Sequence, residues 1–107
     1  MLYRFRSRAS ADVVMLEPNG KRVLEILGKD PGGPGIILPE QMPAAVQALQ
    51  AAVLVEEAEI ERRRQEAQAE GEAPPDLDRI SLRMRVAPFI ELLHHSQREG
   101  VEVVWGV

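Results

Sequence analysis

Residues 91–107 read ELLHHSQREGVEVVWGV, and how this stretch is taken decides the fold. One reading makes the paired histidines and the tryptophan ten residues beyond them the remains of a reaction centre. The other makes them a helix running into a strand. Neighbours on a helix point about 100° apart, so His94 and His95 do not grip one ion together. A helical zinc pair needs its histidines four residues apart, and that spacing is absent. His95 does lie one turn from Glu91, which could orient it. Both histidines also fall toward a helix end, where a partly cationic ring is favoured by about 0.3–1 kcal/mol. Ser96 has no strand-turn-helix GxSxG setting of a nucleophile. Past Gly100, a helix stop, Val101, Val103, Trp105 and Val107 share one face of an extended run, with Glu102 and Gly106 on the other. The stretch therefore reads as scaffold, with Trp105 packing under a helix and anchoring the terminus. A tryptophan that stacks on a ligand is the rival for that residue.

Working back from there, Leu82, Val86, Phe89, Ile90 and Leu93 trace the buried face of the same helix, with Asp78 or Ser81 as its cap. Pro88 lies inside the pattern and deletes the bond to the Met84 carbonyl, which predicts a kink or a break into two helices. At the other end of the chain, residues 2–7 alternate, with Tyr3 and Phe5 on one face and Arg4 and Arg6 on the other, as in a half-buried strand. Ala9-Ser10-Ala11 serves as a connection to Asp12-Val13-Val14-Met15-Leu16. That run is continuously apolar after its aspartate and reads as a strand covered on both faces or near the sheet centre.

Pro18-Asn19-Gly20 ends the strand. Lys21–Leu27 then suits a short helix with Asn19 as N-cap and Gly28 as C-cap glycine, although a second hairpin turning at Asn19-Gly20 competes. GKDPGGPG, residues 28–35, is a connector on composition. It has no GxxxxGK[ST] order, and its prolines remove donors that a phosphate would want. Ile36-Ile37-Leu38 returns to the core. Pro39 or Pro43 then opens a long helix whose stripe is Val46, Leu49, Val53 and Ile60. Past Ile60 only alanines interrupt the charge, so the segment at about 61–77 is expected to project as a flexible charged arm.

The bulk numbers bound the rest. A chain of 107 residues without cysteine is one domain that folds without disulfides or thiolate metal sites, which fits a reducing, cytoplasmic setting. Residues 1–8, MLYRFRSR, contain no apolar core of a secretory signal, and no stretch is long and apolar enough for a membrane span. The net charge of −4 argues against a dedicated nucleic-acid binder. Charge is unevenly spread, with seven glutamates against three arginines over 56–72 and three arginines without an acid over 79–85. Pairing between such regions is the simplest use of them. The row Arg4, Arg6 and Arg8 is the most suggestive polar feature, since on a strand these side chains stand about 7 Å apart on one face and suit an extended anion.

The openings MLYRFRSRASADVVMLEPNG and ILGKDPGGPGIILPEQMPAAVQAL, with the ending SLRMRVAPFIELL and VVWGV, resemble a family of small bacterial proteins, domain of unknown function 1840. The likeness spans nearly the whole chain and is loosest over about 56–77. It implies an autonomous domain and transfers no residue role. The expected architecture is a two-layer α+β domain, with a small, mostly antiparallel sheet of residues 2–7, 12–16 and 101–106 packed against two or three helices. The expected function is a non-enzymatic binding or interaction module of regulatory kind, with no cofactor, no metal and no catalytic set. Its partner would be a protein or an anionic small molecule, with self-association left open, and the contact residues would come from Arg4, Arg6, Arg8, His95 and Trp105. The alternative is a metabolite binder or small enzyme using Arg4, Arg6, Glu91 and His95.

Overall fold

The computed structural model describes residues 2–72 and 81–106. The chain runs β1 (Leu2–Ser7), β2 (Ser10–Leu16), α1 (Glu17–Ile26), β3 (Gly35–Ile37), a 3₁₀ turn (Pro39–Gln41), α2 (Met42–Ala69), α3 (Leu82–Glu99) and β4 (Val103–Trp105). The four strands form one antiparallel sheet in the order β2-β1-β4-β3, and three helices pack against it. This is the expected α+β architecture, with a fourth strand from Gly35-Ile36-Ile37.

The hairpin of β1 and β2 turns at Arg8-Ala9, so Ser10 and Ala11 already belong to the strand. Its register pairs Leu2 with Leu16, Arg4 with Val14 and Phe5 with Val13. Tyr3, Phe5 and Met15 are buried while Leu2, Arg4, Val14 and Leu16 are exposed. The expectation that residues 12–16 are covered on both faces or lie near the sheet centre is therefore corrected. β2 is an edge strand with one face in water. The physical reason is register, because pairing with the one-sided β1 forces Val14 and Leu16 onto the face of Arg4.

No loop separates β2 from α1. The helix starts at Glu17 with Pro18 in its first turn, where a missing N–H is harmless, and Glu17 reaches Lys21 at 2.9 Å. Asn19 is inside the helix, and the N-cap position is Leu16. Gly20 also serves something other than a turn. A Cβ there would stand 2.5 Å from the Tyr3 ring, so glycine lets α1 lie on β1. The helix ends as expected at Gly28, with φ +73°, Gly28 N–H donating to Glu25 and Lys29 N–H to Leu24. That is the double bond pattern of a left-handed glycine cap.

β4 sits between β1 and β3, with Arg6 opposite Val104 on one side and Ile37 opposite Val103 on the other. Trp105 is 1% exposed. Its ring lies 5.8 Å from that of Phe5, which meets Phe89 edge-on at 4.8 Å. This aromatic row joins the sheet to α3 and is worth more than its area alone. α3 runs unbroken through Pro88, which is exposed, so the missing bond falls on the solvent side. Ser81 caps it by accepting from Met84 N–H, and Glu56 of α2 accepts from Leu82 N–H at 2.9 Å. Asp78, the other candidate cap, lies outside the described residues.

α2 packs through Val46, Leu49 and Val53, while Ile60 is only half-buried. Residues 61–69 continue the helix, charged and exposed except for Ala67, and Arg62 and Arg63 pair with Glu59 on the same helix. The arm is thus helical to Ala69, and residues 73–77 of the expected flexible segment lie outside the described residues. A molecule of 52 × 27 × 22 Å reflects this projection.

Candidate functional site

Among the described residues, the helices cover one face of the sheet and nothing covers the other. On that open face β1 presents Leu2, Arg4 and Arg6, β2 presents Asp12, Val14 and Leu16, β4 presents Val104, and β3 presents Ile36. Cross-strand register ties them together, Leu2 beside Leu16, Arg4 beside Val14, and Val104 beside both Arg6 and Ile36. Leu2 is 56% exposed, Leu16 62%, Val14 46% and Ile36 42%. Four large apolar side chains on one small sheet face exceed scattered surface hydrophobes, and such a patch rimmed by charge marks an interaction site.

The arginine row is only partly a strand feature. Arg4 and Arg6 flank Asp12 at 3.6 and 3.9 Å, and Arg8, in the hairpin turn, reaches Glu102 at 3.6 Å. The acidic helix finds its cations elsewhere. Arg83 of α3 holds Glu57 at 2.9 Å, and Arg22 of α1 lies 3.3 Å from Glu56. The hydrogen bond from Arg83 pulls the Glu57 carboxyl below the usual carboxylate range. That bridge is consequently present at neutral pH and is lost as pH falls through the lowered value.

His94 and His95 both point into solvent from α3, and His95 Nε2 stands 3.7 Å from Glu91. The helix continues to Glu99, so the last turn holds Arg98 rather than a histidine. Among the described residues no three metal-ligating side chains gather. Ser96 is fully buried. Its hydroxyl donates to the Leu92 carbonyl at 2.6 Å and so accepts from Ser7 at 2.7 Å, tying the hairpin to α3. Arg4 and Arg6 stand on the open face and the His95–Glu91 pair on the outer side of α3. The sheet and helix layer lie between them, so the four residues of the enzyme or metabolite alternative do not meet.

The family model described as domain of unknown function (DUF1840) matches residues 1–105. The chain belongs to that family. No curated protein and no solved structure matches it. The DUF1840 assignment confirms the likeness drawn from the sequence over nearly its whole length and brings no ligand or residue role with it.

Concavities among the described residues of this DUF1840 domain include the following. One of about 440 Å³ lies between α2 and α3 and includes Leu54, Ile90 and Glu91. Another, about 640 Å³, lies between α1 and α2 and includes Ile26, Val55 and Ile60. The third is about 180 Å³ and joins Tyr3, Arg4 and Trp105 to the Pro31–Pro34 loop. Sequence reasoning treated that loop as a connector and missed its company, because nothing local to GKDPGGPG tells which strand ends it meets. No helix among the described residues is long and apolar enough to cross a membrane.

Proposed function

We propose that this DUF1840 domain is a non-enzymatic interaction module of the cytoplasm that docks a protein partner on the open face of its sheet. The observation that carries the reading is the exposed quartet Leu2, Val14, Leu16 and Ile36 set beside Arg4 and Arg6. Apolar side chains supply the area that comes out of water, and the arginines set orientation and partner choice. The partner surface that fits is apolar at its centre with carboxylates at the rim. Among the described residues β2 is an edge strand, and its outer backbone groups run along one side of the same patch as a second means of attachment.

The test is the pair of substitutions Val14→Glu and Leu16→Glu, compared with Arg64→Ala on the exposed arm. Both exposed strand positions tolerate polarity, so melting of the free domain should move by no more than about 0.5 kcal/mol equivalent. Tagged native domain and the variants are recovered from the parent cells and their co-purifying proteins quantified by mass spectrometry, with candidates then titrated in purified form. The proposal predicts a partner bound by the native and Arg64→Ala proteins and lost from the double variant. A partner retained equally by all three would show that docking occurs elsewhere. Sedimentation of the purified domain tells a second copy from a different protein.

A further inference from the structure

The first half of α2 breaks the usual division of a surface helix. Residues 42–55 contain no charged side chain, although a helix lying on a core ordinarily carries charge on its outer side, and one that is apolar all round is buried. Met42, Ala45, Val46, Leu49 and Val53 face the core. On the outer side Leu54 is 62% exposed and Val55 70%, the most exposed large apolar side chain among the described residues. They stand on a ridge with a hollow to either side, Leu54 lining the concavity toward α3 and Val55 the one toward α1. Ala44, Ala51 and Ala58 are exposed along the same ridge and Ala48 is half-buried, so a second helix can approach it closely.

Ala44, Ala48, Ala51, Val55, Ala58 and Arg62 follow one another at alternating steps of four and three residues, the spacing of a seam along which one helix meets another. That spacing reads nearly the same in either direction, so the seam suits its own copy turned antiparallel. With a two-fold axis at Ala51, Ala44 stands across from Ala58 of the second copy, and Arg62 across from its Glu40. Glu40 is an exposed carboxylate of the 3₁₀ turn, without an ion pair among the described residues. Charge points to the same occupant. A chain of net charge −4 repels its own kind, and the uncharged half of α2 is where two copies touch without opposing carboxylates. We infer that the domain forms a closed antiparallel dimer through the outer face of α2, a second copy being what covers Leu54 and Val55. A contact of this self-complementary kind stops at two copies. It lies on the helix layer, across the sheet from the docking face, so this inference and the docking reading stand or fall separately.

The intact domain is sedimented over a concentration series, and its mass should double in the micromolar range. Ala51→Glu sets two carboxylates against each other at the axis and should weaken the dimer at least about a hundredfold. Ala51 is exposed, so the variant keeps the fold, which its melting curve checks. The Val14→Glu, Leu16→Glu double variant should dimerise as the native domain does. The chain has no cysteine, so introduced cysteines report the geometry. With an added oxidant, Ala51→Cys should link to itself and Ala44→Cys alone should not. A mixture of Ala44→Cys and Ala58→Cys domains should link to each other, since a disulfide needs Cα atoms within about 7 Å. A one-copy mass up to about 1 mM, growth past two copies, a dimer untouched by Ala51→Glu or abolished by the open-face variant, or self-linking of Ala44→Cys would each overturn the inference.

Discussion

Trp105→Ala is expected to lower the unfolding free energy by about 4 kcal/mol, within the roughly 3–5 kcal/mol range of large aromatic truncations in cores. The indole is among the largest fully buried side chains of the domain, it lies 5.8 Å from the Phe5 ring, and through Phe5 it belongs to the row that ends on Phe89 of α3. It also stands on the strand between β1 and β3, so a void there loosens two ladders. Domains of this size have about 5–15 kcal/mol in all, and the variant should sit near the edge of folding at physiological temperature. Denaturant titration measures the change. A loss below about 1 kcal/mol is the size expected of a surface position and would remove Trp105 from the core.

Gly35→Ala should cost about 3 kcal/mol, the upper end for one methyl forced into a packed core. Gly35 pairs in register with Trp105, and a Cβ on it would overlap the ring at Cζ2 and stand 2.5 Å from Cε2. The obstacle is the body of a buried ring, held by Phe5 on its other side, rather than the tip of a flexible chain. If that overlap is the cause, shrinking the ring relieves it. In a Trp105→Leu background the same alanine should therefore be tolerated markedly better, with a coupling of about 1–3 kcal/mol in the double-mutant cycle. Strict additivity would place the cost in the backbone of β3 instead of under the indole.

Both predictions lean on contacts that only the three-dimensional structure reveals, and this marks where the sequence stops informing. The one-sided alternation of Tyr3, Arg4, Phe5 and Arg6 was legible because a period of two has a single structural meaning. The α3 face, the Ser81 cap and the glycine caps at Gly28 and Gly100 were legible for the same local reasons. Asn19 and Gly20 misled, because a turn-like pair also fits inside a helix when the glycine is there to admit the Tyr3 ring. β3 is three residues long, too short to show a period, and became a strand only by pairing with β4. The uncovered face was obscured because Val13-Val14-Met15-Leu16 has no alternation of its own. The information lay in β1, whose pattern had to be imposed on its neighbour through register.

The candidate site followed the same division. Arg4 and Trp105 were picked out singly, by residue type, and the structure puts the Arg4 side chain on the open face and the Trp105 indole on the helix-covered face. Arg6 and Arg8 were found to face Asp12 and Glu102, one carboxylate on the open face and the other beside the hairpin turn, rather than the glutamate-rich helix. Residues whose meaning depends on partners distant in sequence are invisible until the partners are known.

The fold depends above all on residues 103–105 being an interior strand, laddered on both sides, with the helices beneath and water above. Amide hydrogen exchange of the native domain tests this most directly. Val103, Val104 and Trp105 amides should exchange only with global unfolding, at protection matching the full stability of the domain. Exchange of those three amides on the timescale of a frayed terminus would contradict the sheet order, and with it the docking face.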